Sequence, residues 1–220
     1  IEDLAQNSTF EEVVYLLWNN KLPNANELET FKAALHKETV LSADFVKILK
    51  TIPTKGVHPM AWLRTAVSLT AHLDADANDM SEAANKRKAM SLTGKMGTIV
   101  CAFDAIRNGR EPIAPVAGKS IAWNFMYMLG GGKEPDAESV KVFDTCLILH
   151  ADHELNCSAF ATRVTASSLS DLHSAIVSAI GALKGPLHGG ANEQVMIMLK
   201  KIGTIEKAQQ FVKDALDAKE

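Results

Sequence analysis

The chain has 220 residues, 47% of them hydrophobic and 22% charged, the balance of a globular protein long enough to bury a substantial core. Its 23 basic and 26 acidic residues give a net charge of −3, which leaves no positive surplus for a phosphate backbone and argues against nucleic acid as a partner. No apolar run approaches the ~20 residues needed to cross a bilayer, which argues against a membrane role.

Along the chain, the hydrophobic spacing is helical throughout, with no stretch of strand-type alternation. Ser8 with Glu11 reads as a capping box opening a helix with Phe10, Val13, Val14 and Leu17 on one face. Asn24 and Glu27 repeat that signature ahead of Leu28, Phe31 and Leu35. Ser42 opens a third helix, with Phe45, Val46 and Leu49, which Pro53 ends. Pro59 suits the first turn of a helix running to Leu73, and the polar stretch Asp74 to Asp79 reads as a loop. A long helix is expected from about Ser81 to Asn108, with Gly94 and Gly97 inside it and Gly109 stopping it. Its basic run Lys86-Arg87-Lys88 reads as a solvated face.

Arg110 to Lys119, with two prolines, is a connector. A short helix from Ser120 to Leu129 follows, whose cluster from Trp123 to Met128 reads as core. Gly130-Gly131-Gly132 is a turn, since no phosphate-loop pattern follows it. Asp136 caps an apolar helix that delivers His150 and His153. Further helices are expected from Ser158 to Ser167, from Asp171 to about Lys184, from Glu193 to Ile202, and from Thr204 onward. The fold class is therefore all-α, about ten helices packed as a multi-helix globule. Cys101, Cys146 and Cys157, odd in number and without CxxC spacing, read as reduced thiols of a cytoplasmic protein.

Two segments carry candidate chemistry. In His150-Ala151-Asp152-His153-Glu154-Leu155-Asn156, the two histidines stand three apart, which on a continued helix puts both imidazoles on one face. Such a pair can receive a small dicarboxylate, ligate a metal with Glu154, or be hydrogen-bonded in the core. The second segment is Gly185 to Asn192, GPLHGGAN. His188 stands there between Pro186 and two glycines, where a ligand can approach the backbone and the imidazole can donate to a developing enolate oxygen. A plain helix stop is the competing reading. Of the other histidines, His58 reads as a cap or packing residue, His36 and His173 as exposed, and His72 as buried. No GxSxG nucleophile signature is present.

These segments together resemble the citrate synthase family. LILHADHELNCSAFATR (Leu147 to Arg163) is similar to its oxaloacetate-side helix and turn, and GPLHGGAN to its most recognisable loop. His58-Pro59-Met60 with Leu63-Arg64-Thr65-Ala66-Val67, and the stretch from Phe10-Glu11-Glu12 to Leu22-Pro23, also match. The resemblance implies the large helical domain of a two-domain enzyme over residues 1–190 and the beginning of a small domain over 191–220. It implies an acyltransferase that condenses oxaloacetate with acetyl-CoA and hydrolyses the thioester, giving citrate and CoA. His188 would stabilise the enol of the acetyl group, with Leu187 and Gly189 beside that group. His153 would bind oxaloacetate, supported by His150 and Asn156. No metal and no permanently bound cofactor is implied; acetyl-CoA is a co-substrate. The family works as a homodimer, and the helix from Ser81 to Asn108 resembles part of its interface.

The same family pattern includes a later segment of the form GxGHxVxRxxDPR, then an aspartate base and further arginines, none of which is among these 220 residues. The chain opens Ile1-Glu2-Asp3 without an initiator methionine, as a piece of something longer would. The expectation is a chain holding one member of the catalytic triad and inactive by itself. The alternatives are 2-methylcitrate synthase, which shares these motifs and uses propionyl-CoA, and a non-catalytic helical dimerisation scaffold.

Overall fold

The computed structural model describes residues 1–218; Lys219 and Glu220, the last residues of the expected second domain, lie outside the described residues. Among the described residues there are twelve α-helices, one 3-10 turn and no strand, which bears out the all-α reading. The helices are α1 (Glu2–Asn7), α2 (Phe10–Asn19), α3 (Ala25–Thr39), α4 (Ala43–Thr51), α5 (Pro59–Thr70, continued by the 3-10 turn Ala71–Leu73), α6 (Glu82–Arg107), α7 (Ile121–Leu129), α8 (Ala137–His150), α9 (Cys157–Ser167), α10 (Leu172–Leu183), α11 (Gly190–Ile202) and α12 (Ile205–Ala218).

Local chemistry starts most of them. Asn24, Ser42, Ser81, Ser120, Asp136 and Asp171 each accept a backbone N–H in the first turn of their helix, and Asn24 with Glu27 closes a capping box. The first expected box is displaced by one residue. Thr9 and Glu12 form it, because Thr9-x-x-Glu12 carries the same signature as Ser8-x-x-Glu11. Glu11, freed from capping α2, turns inward instead. It is 3% exposed, and its Oε1 accepts the Ile121 amide at 2.8 Å. His58 caps α5, its Nδ1 accepting from the Met60 amide at 3.1 Å, with Pro59 in the first turn.

The core surrounds α6. Phe45 and Leu49 of α4, Trp62, Ala66 and Val67 of α5, and Ile180 of α10 close on Leu92, Ile99, Ala102 and Phe103 of α6. From residue 91 to residue 106 no position of α6 is fully exposed, although several, Met96 and Val100 among them, are only half-buried, and Glu82, Ala83, Lys86, Arg87 and Arg107 at its ends are exposed. Gly94 lets α3 approach, since a Cβ there would lie 2.9 Å from the Glu38 Cβ. Thr98 then donates to the Thr39 carbonyl at 2.7 Å. A second cluster joins Val14 of α2 to Phe31 and Leu35 of α3. The aromatic stretch of α7 is core only in part: Ala122, Asn124 and Met128 are buried, while Trp123, Phe125, Met126 and Tyr127 are half-buried.

Four exposure readings need correcting. Lys88 is 0% exposed, its ammonium donating to the Ala77 and Asp79 carbonyls at 3.0 and 2.5 Å. Its neighbour Arg87 reaches Asp74 at 2.6 Å. The basic run is therefore a fastener for the loop at 74–79, because that loop folds back over α6 and presents its carbonyls. His173 is buried, not exposed. Its Nδ1 faces the Thr70 hydroxyl at 2.9 Å and its Nε2 the Asp74 carboxylate at 3.0 Å. His72, expected inside, is exposed, because the 3-10 turn ends α5 and rotates it outward. His36 is half-buried.

Candidate active site

The segment from His150 to Asn156 does not continue α8. The helix ends at His150, and the chain then turns, with Glu154 at φ 52°. His153 therefore sits in the turn, exposed, and the two imidazoles do not share a helical face. The physical reason is that Asn156 starts the next helix at once. Its Oδ1 accepts the Ala159 amide at 2.9 Å as the cap of α9, which leaves no room for another turn of α8. The ring of His150 folds back on its own helix, Nδ1 donating to the Cys146 carbonyl at 2.7 Å.

The GPLHGGAN segment links α10 to α11. The His188 and Gly190 amides donate to the Gly185 carbonyl at 3.0 and 3.2 Å, forming a tight turn that leads into α11 at Gly190, three residues earlier than expected. Gly189 is required there, since a Cβ would lie 2.5 Å from the Leu183 carbonyl oxygen. The Leu187 side chain is fully exposed, while His188 is half-buried.

Ser158 joins the two segments. The Nε2 of His188 lies 3.1 Å from the Ser158 hydroxyl, and that hydroxyl donates to Asn156 Oδ1 at 2.7 Å. The Ser158 proton is already given to Asn156, so Nε2 is the donor to Ser158, and Nδ1, the ring nitrogen left to meet a ligand, donates to it when the ring carries both protons. The structure thus brings His188 and Asn156 together through Ser158. It leaves His150 bonded to its own helix, and it gives His153 no hydrogen bond among the described residues. Sequence reasoning sees Ser158 only as a helix start; the signal is Asn156-x-Ser158 at the head of a helix, where both side chains point at the same first turn. One further contact ties the neighbourhood together. The Nε2 of His58 lies 3.5 Å from a carboxylate oxygen of Glu193 in the first turn of α11.

Among the described residues, no three His, Cys, Asp or Glu side chains gather as a metal set. The three cysteines are free. Burial pushes the Cys101 thiol up to about 12; Cys146 and Cys157 are exposed. Among the described residues, no helix is long and apolar enough to cross a membrane.

The family model described as citrate synthase, C-terminal domain, matches residues 1–220. The chain is 50% identical to citrate synthase 2 of Bacillus subtilis over 220 residues, all of this chain and 59% of that protein. It is 39% identical to the citrate/2-methylcitrate synthase of the same organism, over 99% of this chain and 58% of that one. Among solved structures it resembles citrate synthase from Thermoplasma acidophilum, in a ternary complex with carboxymethyl coenzyme A and oxaloacetate, at a TM-score of 0.87 and 27% identity. That likeness covers 97% of this chain and 55% of the other. The chain thus spans a little over half the length of the relatives it matches.

Proposed function

Because the chain belongs to the citrate synthase family, we propose that it is part of an enzyme that condenses oxaloacetate with acetyl-CoA and, with water, releases citrate and CoA. The observation that carries this reading is the meeting of His188 with Asn156 through Ser158, which joins two segments far apart in the chain. In this reading Nδ1 of His188 stabilises the enol oxygen of the acetyl group as its methyl proton leaves. Preorganised donation of this kind is commonly worth ~10² or more in rate. Leu187 and Gly189 flank the acetyl group. His153 grips oxaloacetate, and its exposed position suits a group that waits for ligand. His150 and Asn156 support the wall, Asn156 by fixing the start of α9.

Several finer statements belong to the same proposal. The boundary near residue 190 separates a large from a small domain, supported by the way α11 and α12 pair with each other. The protein is cytoplasmic, in keeping with its free thiols. It acts as a homodimer. A second copy would meet the half-buried face of α6, with apolar side chains such as Val142 and Leu149 of α8 and Phe160 and Val164 of α9, all exposed, offering further contact. Light scattering of the purified protein tests that state.

The decisive assay follows free-thiol release from acetyl-CoA with oxaloacetate. The 220-residue chain by itself is expected to give no turnover, because the family's carbonyl-polarising histidine and aspartate base are not among its residues, whereas a full-length parent is expected to turn over. Loss of at least ~10² in kcat on His188→Ala in the parent supports the role given to His188, and an unchanged kcat overturns it. A second reading, 2-methylcitrate synthesis from propionyl-CoA, is favoured by the relative named for both products. The ratio of acetyl-CoA to propionyl-CoA turnover in the parent decides between them.

A further inference from the structure

Of the asparagines in the chain, only Asn108 is followed by glycine. The pair stands where α6 ends. Asn108, the residue after Arg107, has φ −97° and ψ 11°, and Gly109 follows at φ 69°, the left-handed form in which helices commonly stop. Both residues are exposed. The space beside the Gly109 Cα is open, since a Cβ built there would meet nothing within 4 Å. An asparagine side chain is thermolabile, and its usual route of loss is attack by the main-chain nitrogen of the next residue. A side chain on that next residue obstructs the attack, and glycine has none.

The surroundings set both the restraint on this reaction and its consequence. The Asn108 Nδ2 donates to the Asp104 carbonyl at 2.8 Å and to Asp104 Oδ1 at 3.2 Å. The Gly109 amide donates to the Ile106 carbonyl at 3.0 Å, and the Arg110 amide to the Ala105 carbonyl at 2.8 Å. At ψ 11° the Gly109 nitrogen lies nearly eclipsed with the Asn108 nitrogen, away from the carboxamide. Attack therefore waits for the last turn to open, and helix ends are where opening is easiest. The Asp104 carboxylate also gathers Arg107 at 2.8 Å and Arg110 at 2.5 Å, so the end of α6 and the connector behind it share one anchor.

We propose that Asn108 is a site of spontaneous deamidation that unfastens the end of α6 from the connector. The Gly109 nitrogen gives up its proton and bonds to the side-chain carbonyl carbon of Asn108. The carboxamide C–N bond breaks, ammonia leaves with that proton, and a five-membered succinimide remains. Water then opens the ring, giving aspartate when it adds at the side-chain carbonyl and isoaspartate when it adds at the main-chain carbonyl. Either product exchanges a donor for an anion. The donation to the Asp104 carbonyl is lost, the new carboxylate faces that of Asp104, and negative charge at the C-terminal end of a helix opposes its dipole. Isoaspartate also lengthens the main chain by one carbon between α6 and Arg110. None of the residues given to the synthase reaction is involved, and the proposal stands or falls separately from that reading.

Prolonged incubation of the full chain at mildly alkaline pH, followed by peptide mass analysis, tests it. A gain of one mass unit is expected at Asn108 ahead of every other asparagine, with isoaspartate among the products. The chain denatured in urea is expected to convert faster, because the last turn no longer holds the nitrogen away. Asn108→Asp, which carries the product charge from the start, tests the unfastening. Tryptic cleavage after Arg107 and Arg110 in the folded variant is expected to be at least about twofold faster than in the unsubstituted chain. No conversion of Asn108 in the native chain by the time the denatured chain has fully converted overturns the proposal, as does earlier loss of any other asparagine. Equal cleavage of the variant and the unsubstituted chain overturns it too.

Discussion

Thr70, His173, Asp74 and Arg87 are joined in series across α5, α10, the loop at 74–79 and α6. Burial works against the charge on Asp74, yet the hydrogen bonds from His173 and Arg87 outweigh it and hold the carboxyl at about 2. A carboxyl depressed in the folded state contributes stability that is fully present above its ordinary value near 4 and is lost as pH falls toward 2. Asp74→Asn is therefore expected to cost about 1–3 kcal/mol in urea unfolding at pH 7, since it leaves His173 and Arg87 facing a neutral group. The difference from the parent chain should shrink between about pH 4 and pH 2; a constant difference across that range would show that the carboxylate charge plays no part. This network is not legible in the sequence. Periodicity places His72 and His173 the wrong way round because burial of a single polar residue is decided by what another part of the chain brings to it. Asp74 lies 99 positions from His173, and no local pattern encodes that meeting. Ser158 escapes notice for the same reason, standing 30 positions from His188. Asn24, Ser42, Ser81, Asp136 and Asp171 are legible because a cap and its amide lie three residues apart.

At the scale of the element, α6 carries two glycines with opposite expectations. A methyl group at position 94 would meet the Glu38 Cβ at 2.9 Å and the Leu35 carbonyl oxygen at 3.1 Å, both on the rigid turns of α3. Gly94→Ala should therefore separate the helices and destabilise the fold by about 1–3 kcal/mol. At position 97 the nearest atom is a ring carbon of Phe125 at 3.5 Å, an ordinary contact. Gly97→Ala should be neutral or stabilise by up to about 1 kcal/mol, through the lower entropy of alanine in the unfolded chain. Paired chemical denaturation of the two variants checks this, and equal losses would mean that α3 does not constrain α6. The sequence presents both glycines as the same doubt about an unbroken helix. What separates them is the neighbour each one faces, and that is a property of packing. The end of α8 shows a related limit. No glycine or proline marks His150 as the last helical residue, so the stop is visible only from the cap that Asn156 provides to α9.

Across the whole molecule, burial is unevenly shared. The cluster built by α4, α5, α6 and α10 contains the largest enclosed side chains, Trp62 and Phe45 among them. By contrast, α11 and α12 have no buried residue, although Val195, Met196, Ile197, Met198 and Leu199 follow one another along α11 and are all exposed. Local opening follows the density of buried contacts. Amide hydrogen exchange of this chain is therefore expected to be fast throughout α11 and α12 and slowest in the middle of α5 and α6. Protection of α11 equal to that of α6 would contradict this ordering. The general architecture is readable at this scale because helical periodicity recurs in every segment. The unequal burial is not, since α11 is as apolar in sequence as helices that do find partners.

Lys88 adds a practical consequence. An ammonium group sealed beneath the loop at 74–79 and satisfied by two carbonyls is beyond the reach of any acylating reagent in water, whereas Lys86, two positions earlier, projects outward with its side chain 68% exposed. Brief treatment with an amine-reactive ester should mark Lys86 at once and Lys88 only when the loop lifts away. Peptide mass analysis of position 88 over time would then serve as a clock for that lifting, read from the native protein without any substitution.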